Sequence, residues 1–213
     1  GRLELSNRNV MATVTRQFSP DGLPDEAVAR YYRRRAEGGV GLIITEGTTV
    51  CRDAASNDTS IPNFHDPLSL EGWSRVVDEV HAAGGRIAPQ LWHQGILRAN
   101  GTGPNPGAVS EGPSSNGEAL EMTDGDIADT ISAFASAAAA ARSIGFDAVE
   151  LHGAHGYLLD QFLWAGANNR DDRYGGDIPA RTLFAAEVVR AVRKAVGEDF
   201  PLIFRFSQWK LQN

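Results

Sequence analysis

Short apolar runs alternate along the chain with longer segments whose apolar residues recur every three or four positions, which predicts strands interleaved with helices. Strands are expected over 9–14, 41–45, 86–91, 147–151 and 201–206. The first helix is expected over 24–37, and the later ones have readable starts. Asp66 followed by Pro67 gives an N-cap and an N1 proline, with Leu70, Trp73, Val77 and Val80 next on one face. Thr123 with Asp126 three residues on matches a capping pattern, and Ile127, Ile131, Phe134, Ala138 and Ala141 continue at helical spacing through an alanine-rich run. Asp177 and Pro179 open another helix, with Phe184, Val188, Ala191 and Ala195 expected on its inner face. Alternation of this kind builds a parallel α/β sheet and not separate α and β halves.

Composition narrows the class. Hydrophobic residues make up 42% of the 213 residues and charged ones 22%, enough for one globular domain over 1–213 with a sizeable core. A net charge of −7 with no basic run argues against nucleic acid. The single cysteine, Cys51, reads as an ordinary reduced thiol, and no Cys/His spacing suggests a metal. No apolar run reaches the ~18 residues of a membrane span and the first residues lack the shape of a signal peptide, so a cytoplasmic protein is expected. The chain begins with Gly and stops soon after its last strand-like run, so both ends are expected to be cut.

The chemistry gathers where the strands end. The first leads to Thr15 and Arg16, the second to Glu46 and Gly47, the third to Gln90, Trp92 and His93, the fourth to His152, His155 and Tyr157, and the fifth to Arg205. In a parallel barrel or doubly wound sheet these ends share one face, so the residues converge. The stretch 99–117, rich in Gly, Pro, Ser and Asn, is longer than an ordinary βα loop and is expected to face substrate. His152, His155 and Tyr157 place three hydrogen-bond donors on one strand-to-helix loop. A metal at the two histidines lacks a third ligand of suitable spacing. No lysine stands at a strand end, which argues against a Schiff-base aldolase or decarboxylase. Tyr157 also fits a buried tyrosine with a satisfied hydroxyl, and Trp92 and Trp164 fit either a pocket wall or the core.

Three motifs carry a resemblance. Gln90 to His93, then His152-Gly153-Ala154-His155-Gly156-Tyr157-Leu158-Leu159-Asp160-Gln161-Phe162-Leu163, then 168–176 with Asn168, Asn169, Arg170 and Tyr174, together resemble the old yellow enzyme family of FMN-dependent NAD(P)H:flavin oxidoreductases and ene reductases. The likeness covers essentially the whole chain, with the segment from Asn7 to Arg16 resembling the family's first strand and Arg205 with Ser207 its fifth. It implies an α/β fold, the (β/α)8 TIM barrel, of which this chain holds about the first five strands. The family's phosphate-binding residues follow later strands. Thr13 departs from the family's usual Pro, and Val14 from its Met or Leu.

The resemblance also implies roles. FMN would be held by Thr13, Val14, Thr15, Gly47, Gln90 and Arg205, with the Gln90 amide on the pyrimidine edge and the Arg205 cation favouring the reduced flavin. His152 and His155 would bind the carbonyl oxygen of an enone, Trp92 would border the substrate, and Tyr157 would protonate its α carbon. The implied activity is reduction of the C=C bond of α,β-unsaturated carbonyl compounds at the expense of NAD(P)H. The competing reading is a flavin-free, non-catalytic barrel fragment or scaffold. Five strands alone leave open sheet edges, so a homo-oligomer or a complementing chain segment is expected.

Overall fold

The computed structural model describes residues 2–208. Five strands form one sheet in the order β1 (Val10–Met11), β2 (Leu42–Thr49), β3 (Ile87–Trp92), β6 (Val149–Gly153) and β7 (Leu202–Phe206), each parallel to its neighbour. Two short strands, β4 (Glu111–Gly112) and β5 (Leu120–Glu121), pair with each other inside the long connection after β3. The helices are α1 (Glu26–Glu37), α2 (Pro67–Ala82), α3 (Asp124–Ser143), the short α4 (Leu158–Leu163) and α5 (Ile178–Val196). The architecture is a parallel half-barrel. Among the described residues no helix is long and apolar enough to cross a membrane.

Burial explains both layers. Every residue of β2, β3 and β6 is buried, as expected for strands covered on both faces. Alternate residues point to opposite sides. Ile43, Ile87, Leu91, Val149 and Leu151 join the main core beneath the helices, where Trp73 meets Tyr32, Phe64 and Phe146 at ring-centroid distances of 6.3, 5.9 and 5.9 Å. On the other side Leu42, Ala88 and Ala148, with Leu3 and Ile203, make a small apolar floor. Polar side chains succeed them toward the carboxyl ends of the strands.

The helix starts follow the sequence signals. Asp25, Asp66 and Asp177 each accept a backbone N–H of the first turn, and Thr123 with Asp126 forms a reciprocal capping box. Each such cap contributes about 1 kcal/mol. Three expectations are corrected. The first strand covers only Val10–Met11 and not 9–14, because the chain then leaves the sheet and is held by the Glu46 side chain. The second runs on to Thr49 and not to 45, since a register shift between Ile44 and Gly47 lets Glu46, Gly47, Thr48 and Thr49 stay in the ladder. In α5 Ala195 is exposed and the buried row is Phe184, Val188, Val192 and Val196, because valine buries more apolar area than alanine.

Candidate functional site

The β2 irregularity shapes the floor of the site. It places Gly47 opposite Gln90, where a regular ladder continuing from Ile44 and Ala88 would have placed Glu46. A Cβ at Gly47 would stand 3.2 Å from two atoms of the Trp92 ring and 3.5 Å from Gln90 Oε1, so the missing side chain leaves room against both residues. Register then continues the row, Gln90 opposite Glu150 and Glu150 opposite Ile203, while one pleat higher His152 lies opposite Arg205. A cavity of about 70 Å³ opens above these rows. Gly47, Gln90, Trp92, His152 and Arg205 line it from the strands, Thr13 and Thr15 from the segment after β1, and His155 and Tyr157 from the loop after β6.

The structure therefore brings together nine of the ten residues to which the resemblance gives a binding or catalytic role. Val14 is the exception, 58% exposed and outside the cavity lining, while its neighbours Thr13 and Thr15 line the cavity.

The loop after β6 is wound tightly. The Tyr157 N–H bonds the Ala154 carbonyl, and His155 takes a left-handed φ of 61°. The His155 N–H donates to Ser207 Oγ at 3.0 Å, and the Gly156 N–H to Asp160 Oδ2 at 2.8 Å. The rings pack edge to face, His152 with His155 at 5.1 Å, His152 with Tyr157 at 5.0 Å and Tyr157 with Trp92 at 5.0 Å. His152 Nδ1 accepts the Ala154 N–H at 3.3 Å, which assigns the proton of the neutral ring to Nε2. Burial, aided by the positive potential of His155 and Arg205, lowers the His152 pKa to about 3. Burial raises that of Tyr157, so the phenol keeps its proton at neutral pH.

Sequence reasoning left several supports unassigned. Glu150 accepts from Gln90 Nε2 at 2.7 Å and from Thr13 Oγ1 at 3.5 Å, and burial raises its pKa. Glu46, also raised by burial, holds the Arg16 backbone N–H at 3.1 Å and the Arg16 guanidinium at 3.4 Å, while that guanidinium covers the Tyr31 ring at 3.7 Å. This clamp fixes the segment that carries Thr13 and Thr15. The long loop after β3 is organised by Arg98, which donates to the carbonyls of Ser56, Thr102, Asn105 and Ala108. His93 donates to Glu111 at 3.1 Å, and Arg52 bonds the same carboxylate. Trp164, the other aromatic weighed for the pocket, is the C-cap of α4 and lies outside the cavity lining.

The lining fits one part of a flavin. An amide, a guanidinium and two hydroxyls suit the alternating donors and acceptors of the ring's polar edge, and Gly47 permits close approach. The buried Trp92 indole N–H has no hydrogen-bond partner among the described residues, leaving an unsatisfied donor in a cavity-lining side chain. At about 70 Å³ the enclosed space is well below the roughly 300–1,000 Å³ of a complete ligand pocket, so the described residues enclose one side of such a group.

A parallel α/β half-barrel with its polar groups at the carboxyl ends of the strands is the enzyme face of the TIM-barrel class. Residues 1–212 match the model of the NADH:flavin oxidoreductase / NADH oxidase family, and the chain belongs to that family, the old yellow enzymes. Among curated relatives it is 40% identical over 208 residues to a metal reductase of Desulforamulus reducens, covering 96% of this chain and 31% of that protein. It is 37% identical over 217 residues to 12-oxophytodienoate reductase 7 of Oryza sativa subsp. japonica, covering 93% of this chain and 54% of that one. The fold matches a structure of morphinone reductase in complex with tetrahydroNAD at a TM-score of 0.90 and 34% identity, covering 97% of this chain and 61% of that one. An old yellow enzyme from a Pichia species matches at 0.90 and 33%, covering 96% and 56%. The chain thus spans a third to about three fifths of the proteins it is compared with here.

Proposed function

We propose that the protein carrying this chain is an FMN-dependent ene reductase that uses NAD(P)H to reduce the C=C bond of α,β-unsaturated carbonyl compounds. The observation that carries the reading is the convergence of Gln90, Arg205, His152, His155 and Tyr157 on one cavity. The reductase names among the relatives and the tetrahydroNAD held by morphinone reductase support it. Bound FMN would supply the hydride chemistry, taking reducing equivalents from NAD(P)H and passing them to the alkene.

The chain's own residues do the rest. Gln90 and Arg205 bind and orient the polar edge of the cofactor, with Thr13 and Thr15 at its margin. The guanidinium stays charged and favours negative charge beside it. His152 offers a neutral Nε2–H, and His155 stands beside it at 5.1 Å between ring centroids. Together they hold a carbonyl oxygen and stabilise the negative charge that develops there. Tyr157, protonated at neutral pH and 5.0 Å from the His152 ring, delivers a proton to the α carbon. The packing of Tyr157 on Trp92 fixes the phenol and bounds the substrate on that side.

Titration with a phenol, whose phenolate imitates an enolate oxygen, tests the assignment. His152→Ala and His155→Ala should each weaken phenol binding markedly and slow enone reduction, each donor contributing roughly 2–4 kcal/mol at the transition state. Unchanged phenol affinity in both variants would remove the oxyanion role.

A further inference from the structure

Glu150 is a buried acid at the heart of the site. It is 4% exposed and stands on β6 directly across from Gln90. Its Oε1 receives the Gln90 Nε2–H at 2.7 Å and the Thr13 hydroxyl at 3.5 Å. One carboxylate thus ties together cavity-lining side chains from β3 and from the segment after β1. Burial opposes its charge, and the nearby Arg205 favours it. A glutamine amide left to itself fits its place either way round, because its oxygen and nitrogen ends have the same shape. In its charged form, which Gln90, Arg205 and Thr13 favour against the burial that raises its pKa, the carboxylate only accepts, so it selects the NH2 end and turns the carbonyl elsewhere. In that form the hydrogen bond is also charge-assisted, about twice as strong as one between neutral groups.

We propose that Glu150 is a positioning residue that fixes the orientation of the Gln90 amide, so that its second N–H and its carbonyl are set for the polar edge of the cofactor. This rests on the FMN reading above. The ligand itself is held by Gln90; Glu150 acts through it.

The test is a double-mutant cycle on FMN dissociation constants, measured by flavin fluorescence in the complete protein. Glu150→Leu and Gln90→Ala should each weaken FMN binding by about tenfold, and the double variant should bind no more weakly than Gln90→Ala alone. Glu150→Gln, whose own amide can present either its oxygen or its NH2 end to Gln90 and carries no charge, should bind FMN nearly as weakly as Glu150→Leu. The visible bands of bound FMN should shift alike in Glu150→Leu and Gln90→Ala, which general loosening of the fold would not produce. Should Glu150→Leu fail to fold, Glu150→Asp, which withdraws the carboxylate by one methylene, carries the same cycle. Equal loss with and without Gln90, or Glu150→Gln binding FMN as tightly as wild type, would overturn the inference and leave the FMN reading standing. A wild-type protein that binds no FMN would overturn both.

Discussion

Replacing His152 with Gln should flatten the acid side of the protein's stability profile. The ring is 6% exposed, and burial with the positive potential of His155 and Arg205 brings its pKa from 6.5 to about 3. The unfolded chain therefore takes up a proton as pH falls below about 6.5, while the folded protein refuses it until about pH 3. Stability from this group is complete above about pH 6.5 and is lost progressively as pH drops through that window. The loss is about 1.4 kcal/mol per pH unit, so between about pH 6.5 and about pH 4.5 it amounts to about 2–3 kcal/mol. The glutamine variant has no titrating group at this position and escapes that loss. His93, whose pKa burial also lowers, and the carboxylates titrate in both proteins and cancel in the difference. Urea unfolding of wild type and variant at about pH 7 and about pH 4.5 gives the four free energies required. Parallel pH dependences would show that His152 ionises normally, and the neutral Nε2–H donor assigned to it would fall with that result.

Other outcomes are equally specific. Tyr157→Phe should leave reduction of the flavin by NAD(P)H nearly intact and slow enone reduction by roughly 10²–10⁴ in stopped-flow measurements, whereas equal loss in both half-reactions would mark the residue as structural. Tyr32→Phe should cost about 1–3 kcal/mol of unfolding free energy, because the buried Glu46 N–H donates to Tyr32 Oη at 2.9 Å and would lose its acceptor; an unchanged urea midpoint would contradict this. Arg98→Met keeps the buried stem but releases four carbonyls, so limited proteolysis should cut first within 99–110, and an unaltered cleavage pattern would show that the loop holds itself.

What the sequence revealed and what it hid have separate physical causes. Helix starts at Asp66, Thr123 and Asp177 were legible because capping is local chemistry between neighbours in the chain. Convergence of Gln90, His152 and Arg205 was legible because parallel strands put all their carboxyl ends on one face. The path after β1 was not, since it depends on the Arg16–Glu46 pair formed across 30 positions. Nor was the β2 bulge, because Glu46-Gly47-Thr48-Thr49 has the polarity of a strand end although all four residues are buried. Glu150 stood in plain view between Val149 and Leu151, but only the register of β3 against β6 shows that it meets Gln90.

The most direct test of the central claim is the visible absorbance spectrum of the complete protein after FMN loading and gel filtration. The bands of oxidised flavin should be retained at one FMN per chain, bleached by NAD(P)H under anaerobic conditions and restored on adding an α,β-unsaturated ketone. A protein that emerges folded and colourless, or whose flavin is reduced but never reoxidised by the enone, would contradict it.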